Sequence, residues 1–145
     1  MGHIPQGASM IRFYCLLMAF IVLAGCQSSE KAAITPLPPD SPPLAYTELV
    51  LRGKAQVAAA HEFFYQDRWD EVKQAAVALQ ETANRLKDLK TDAVPTVKQP
   101  QLAELIKELS EAATQLGEAG AAKDVGKATE SFRRLHLVVR QLRVD

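Results

Sequence analysis

Charge of one sign is what this 145-residue sequence most plainly lacks: 17 lysines and arginines stand against 17 aspartates and glutamates, for a formal net charge of zero. Proteins that bind nucleic acid usually carry a basic excess or a clustered basic face, so that class is not expected. Cysteine is scarce, with two residues in the whole chain, and no disulfide framework can be built unless they pair with each other. Histidine is nearly as rare, and only His61 and His136 fall from Leu44 onward, too few for a clustered metal site. The di-metal bundle pattern, a glutamate three residues before a histidine, is missing: Ala58 precedes His61 and Arg133 precedes His136 at that spacing. No serine elbow and no free catalytic thiol offers nucleophilic chemistry. Strand-like alternation is absent as well. The length leaves room for one domain, and a non-enzymatic chain is the expectation.

What is present falls into three segments. In the first, Arg12 supplies a short positive region, Phe13 to Val22 form an uncharged apolar stretch, and Leu23-Ala24-Gly25-Cys26 closes it. The stretch is too short for a membrane-spanning helix, which needs about 20 apolar residues, but it suits the core of a signal peptide. The closing tetrapeptide resembles the bacterial lipobox, in which small residues admit a peptidase and the cysteine is acylated as the mature N-terminus. The resemblance implies a signal peptide over residues 1–25, loss of Cys15 with it, and lipid on Cys26. Several acyl chains on one N-terminus anchor stably where one would be marginal. By the same resemblance, Gln27 after the cysteine implies the outer membrane, with the chain facing the periplasm. Residues 1–9 fit no part of this scheme, and Met10 is the better signal start than Met1.

Residues 26–43 form the second segment. Pro36, Pro38, Pro39, Pro42 and Pro43 are five of the eight prolines in the chain, and such a stretch is expected to be extended and polyproline-like, a spacer between anchor and domain.

From Leu44 to Asp145 the apolar residues recur at three- and four-residue steps. Four seams are read: Tyr46, Leu49, Val50, Gly53, Val57, Ala60 and Phe64; then Trp69, Val72, Ala76, Leu79, Ala83 and Leu86; then Leu102, Leu105, Leu109, Ala112, Leu116 and Ala119; then Val125, Ala128, Phe132, Leu135, Val139 and Leu142. Asp67 is expected to cap the second helix and Asp124 the fourth, Pro100 suits the first turn of the third, and Gly117 and Gly120 are expected to weaken its end. The loop after the second helix is the longest. Short connections make sequence neighbours antiparallel, which predicts an all-α, up-down-up-down four-helix bundle. The third helix carries Glu104, Glu108, Glu111 and Glu118, and the fourth Lys127, Arg133, Arg134, Arg140 and Arg143. Pairing between these two helices is the expectation; an anionic partner docked on the arginines is the alternative.

In the fourth helix, Ala121-Ala122-Lys123-Asp124, Ala128 and Phe132-Arg133-Arg134-Leu135-His136 resemble the last helix of the cytochrome c′ family, periplasmic four-helix bundles that attach haem through Cys-x-x-Cys-His. The histidine position is His136, but the cysteine positions are Phe132 and Leu135, so covalent haem attachment is excluded. The resemblance implies a cytochrome c′-like bundle without haem; the alternative is a non-covalent haem protein, for electron transfer or gas binding, with His136 as axial ligand. His61 is expected to lie roughly 10 Å from His136 along the bundle, too far to share one iron, and both histidines are read as structural flank residues. The aromatic cluster Phe63-Phe64-Tyr65 and Trp69 is expected to close the turn between the first two helices, with Phe64 and Trp69 on the seam. Phe63, Tyr65 and Trp69 are the candidates for an exposed partner patch. The sequence thus predicts a membrane-anchored, non-enzymatic binding or accessory module whose partners are the bilayer, through acylated Cys26, and an envelope protein.

Overall fold

The computed structural model describes residues 27–144 other than residue 39, with side chains from Glu30 onward. The signal peptide, Cys26 and the choice between Met1 and Met10 lie outside the described residues. Five helices follow in order: α1 (Gln27–Ile34), α2 (Tyr46–Tyr65), α3 (Trp69–Lys87), α4 (Gln99–Ala122) and α5 (Val125–Leu142), with a single 3-10 turn at Thr91–Ala93 between α3 and α4. No strand occurs among the described residues. The four long helices form the antiparallel bundle that the sequence predicts. Neighbours in sequence pack closely, whereas α2 and α5, which close the ring, meet more sparsely.

The seams of α3, α4 and α5 are buried nearly as read. Val72, Leu79, Leu109, Leu116 and Leu135 are fully enclosed; Leu102 is only partly covered, and Val125 lies exposed at the start of α5. In α2 six of the seven read positions, Tyr46, Leu49, Val50, Gly53, Val57 and Ala60, are buried, joined by Gln56, Ala59 and Phe63. The exception is at the helix end, where Phe63 is enclosed and Phe64 only half-buried.

The segment expected to be an extended spacer is helical at its start. Residues 27–34 contain no proline, and α1 packs against α2 and α3 with Ile34 buried. Its end is fixed from two sides: the Thr35 hydroxyl donates to the Lys31 carbonyl at 2.7 Å, and Arg52 Nη2 donates to the Thr35 carbonyl at 2.6 Å. The proline-rich stretch that follows is the link from α1 to α2.

Both tight turns use a left-handed residue. Asp67 (φ 57°) follows α2, and the Arg68 and Asp67 amides donate back to the Phe63 and Phe64 carbonyls, a Schellman ending. Asp67 therefore ends α2 instead of capping α3, whose cap position is Arg68, and its carboxylate accepts the Trp69 indole N–H. Lys123 (φ 52°) ends α4 in the same way, after which Asp124 caps α5 as expected, accepting from the Lys127 amide at 2.9 Å. Pro100 lies in the first turn of α4 as read. Gly117 and Gly120 do not end α4. A Cβ on Gly120 would stand 3.0 Å from Lys73 Cγ, so this glycine permits close approach of α4 to α3.

Candidate functional site

The α2/α5 face gathers most of the side chains with unassigned chemistry. His61 on α2 and His136 on α5 lie with ring centroids 5.4 Å apart, edge to face, not at the separation the sequence suggested. The correction lies in the register. Phe132, seven residues into α5, packs 4.7 Å from His61 and 5.4 Å from Phe64, both within the last two turns of α2. Helix α5 thus begins about one turn (~5 Å) beyond the end of α2, which brings His136 to within about one turn of His61 along the bundle. Burial, and then the facing His136, lower the His61 pKa below its ordinary value, with Glu62 acting in the opposite sense. His136 is exposed, not sheltered on the flank.

Below the histidines an open groove of about 650 Å³ runs along the seam, lined by Lys54 from α2 and by Arg133, His136, Leu137, Val139, Arg140 and Arg143 from α5. A second hollow of about 320 Å³ continues it toward the far end, sharing Lys54 and Arg143 and adding Leu51, Leu142 and Val144. There the Tyr46 hydroxyl donates to the Leu142 carbonyl at 2.6 Å and ties the start of α2 to the end of α5.

Among the basic residues of α5, Arg134 crosses to α4, with Nη2 3.4 Å from Glu111 and Nη1 donating to Gln115 at 2.8 Å. Arg133 pairs with Glu130 within its own helix at 2.6 Å, a contact that holds the Glu130 carboxyl below its ordinary pKa. Lys127 faces Asp124, also in its own helix. Lys54 and Arg140 form no ion pair among the described residues.

The aromatic residues divide differently from the expected patch. Phe63 is enclosed beneath the Arg68 guanidinium, 4.6 Å above its ring. Trp69 is buried, edge-on to Phe64 at 5.4 Å. These two close the α2–α3 turn and are not available to a partner, because Phe63 lies on the buried side of α2 and Trp69 on the buried seam of α3. Tyr65 alone is exposed, at 73%, and packs 4.7 Å from His61 at the head of the α2/α5 face.

Haem fits these residues poorly. A porphyrin requires a flat slot between its ligands, and two imidazoles in edge contact with Phe132 packed against one of them leave none. The positions that would hold the attachment cysteines, Phe132 and Leu135, are core side chains. No group of three or more metal-ligating side chains occurs among the described residues, and none of the described helices is long and apolar enough to cross a membrane. What the face offers chemically is cationic and aliphatic surface side by side. The sequence named its arginines and His136; it did not show Lys54 and Leu51 joining them, since that depends on the register between two helices 60 residues or more apart in sequence. No family model, no curated protein and no solved structure matches the chain.

Proposed function

We propose that this chain is a lipid-anchored lipoprotein of a bacterial envelope whose helical bundle is a non-enzymatic binding or accessory module. The anchor rests on Arg12, the apolar run from Phe13 to Val22, and Leu23-Ala24-Gly25-Cys26, with the Cys26 thiol as acylation site. Gln27 after it favours the outer membrane and the periplasmic side. The binding role rests on one observation, the α2/α5 face, where Lys54 and Arg140 lie beside exposed aliphatic side chains around an open groove. This face is what the module presents to an envelope component. In this reading the scaffold is of the cytochrome c′ kind, used without haem.

Metabolic labelling with palmitate is expected to mark the wild-type chain and to leave Cys26→Ser unmarked and still carrying its signal segment. Equal labelling of both would defeat the anchor. Hemin titration is expected to leave the Soret band of free hemin unshifted; a shifted band that His136→Ala abolishes would defeat the haem-free module.

A further inference from the structure

We propose that the α2/α5 face is a docking surface for an anionic phospholipid bilayer. The proposal rests on the reading of the chain as an envelope lipoprotein and names what its binding face meets. Leu51, Tyr65, Leu137 and Val144 are four of the seven large apolar side chains that stand exposed among the described residues, and all four border this one face. Lys54 and Arg140 lie among them without ion-pair partners. The acidic side chain bonded on this stretch of α5, Glu130, is taken up by Arg133. Basic side chains interleaved with aliphatic ones on a helical surface are the chemistry of an interfacial contact, with cations at the phosphates and short apolar side chains among the headgroups.

The position of α1 favours a bilayer over an acidic protein segment as the occupant. Helix α1 begins at Gln27, directly after Cys26, and packs on α2 and α3. An acyl chain on Cys26 therefore holds the bundle beside the headgroups instead of at the end of a long spacer. At that proximity even weak attraction engages, because docking is intramolecular once the anchor is in. Each lysine or arginine at an anionic surface strengthens partition roughly fivefold, so Lys54 and Arg140 together supply a factor of roughly 25.

The test uses the full chain reconstituted from detergent into vesicles, with Leu137→Trp as reporter and brominated phosphatidylcholine as quencher. Vesicles contain either phosphatidylcholine alone or phosphatidylcholine with phosphatidylglycerol. Leu51→Trp serves as a second reporter on the same face, and Val77→Trp, exposed on α3, as control. The expected result is added quenching of both face reporters in anionic vesicles, none in neutral ones, none for Val77→Trp, and loss of the effect with Lys54→Glu and Arg140→Glu. Equal quenching in neutral vesicles overturns the proposal. Absence of quenching in both overturns it too and leaves an acidic protein segment as occupant. The mass of the N-terminal peptide from the same preparation reports separately whether Cys26 is acylated. An unprocessed chain still enters the vesicles through its apolar segment, so failure of the anchor and failure of the docking face are distinct results.

Discussion

Gln56 is enclosed in the core with its Oε1 accepting from the Thr82 hydroxyl at 2.8 Å, and its Nε2 has no partner among the described groups. An unpaired buried donor costs about 1–3 kcal/mol, more than the single bond at the other end returns. Replacing Gln56 alone would strand the Thr82 hydroxyl that donates to it, so the informative change is the pair: Gln56→Met with Thr82→Val removes the unpaired donor and the hydroxyl together and is expected to raise stability by about 1 kcal/mol. Gln56→Ala removes the donor but opens a cavity and is expected to cost about 2 kcal/mol. Urea unfolding followed by circular dichroism distinguishes the signs. His61 gives a second expectation at this scale. Its folded pKa is lowered, by burial first and then by His136, so between that value and the ordinary one the unfolded chain binds more protons. Stability therefore falls as pH drops through about 6.5 toward the folded value, and above the ordinary value the group contributes nothing to the slope. Thermal melts between about pH 7.5 and pH 5 should show this loss, and His61→Gln should flatten it; an unchanged slope in that variant would refute the assignment.

At the scale of elements, the apolar seams were readable because three- and four-residue steps place them on one face, and α2 and α3 bury nearly every residue so read. Hydrophobicity does not show which polar residues join them: Gln56 and Thr82 are enclosed and bond to each other. At the end of α2 aromatic residues stand in a row, and hydrophobicity alone does not choose between Phe63, which is enclosed, and Phe64, which is half-buried. Helix α1 went unread because the prolines from Pro36 onward dominate the composition of its segment, although none falls within residues 27–34. Gly117 and Gly120 stand near the end of α4, as read, but neither makes its turn: the helix runs on to Ala122 and turns at Lys123, a residue with a Cβ in a left-handed conformation. That conformation costs a non-glycine residue roughly 1 kcal/mol. Lys123→Gly is accordingly expected to stabilise the chain by somewhat under 1 kcal/mol, net of the greater freedom glycine has when unfolded, as read from the denaturation midpoint. A destabilisation would mean that the lysine side chain makes a contribution the turn geometry does not account for.

For the whole molecule, the up-down order follows from short turns and needs nothing finer, which is why it was legible. The α2/α5 face was not, because its two walls come from stretches far apart in the sequence and their level is set by how far α4 and its turn carry the chain before α5 begins. The ring of four helices also has two unlike flanks: α1 covers α2 and α3, while the α2/α5 flank is open. Docking of α1 depends on Ile34 and on the bond from Arg52 to the Thr35 carbonyl. Ile34→Asp places a charge in an apolar seat and is expected to release α1 at a local cost of about 2 kcal/mol or more. Hydrogen exchange of residues 27–35 should then rise sharply while α3 and α4 keep their protection. Unaltered exchange there would show that α1 is held by something other than its buried isoleucine.

The seat of α1 has a mechanical consequence. In a chain anchored at Cys26, a pull on the membrane side does not first stretch a polyproline spring. It arrives at α1 and passes through Ile34 and Arg52 into the flanks of α2 and α3 as a shear across packed helices. For such an anchored chain the expectation is a coupling that is stiff at low load and yields first by the peeling of α1, after which the stretch from Pro36 to Pro43 adds its length to the tether in a single increment.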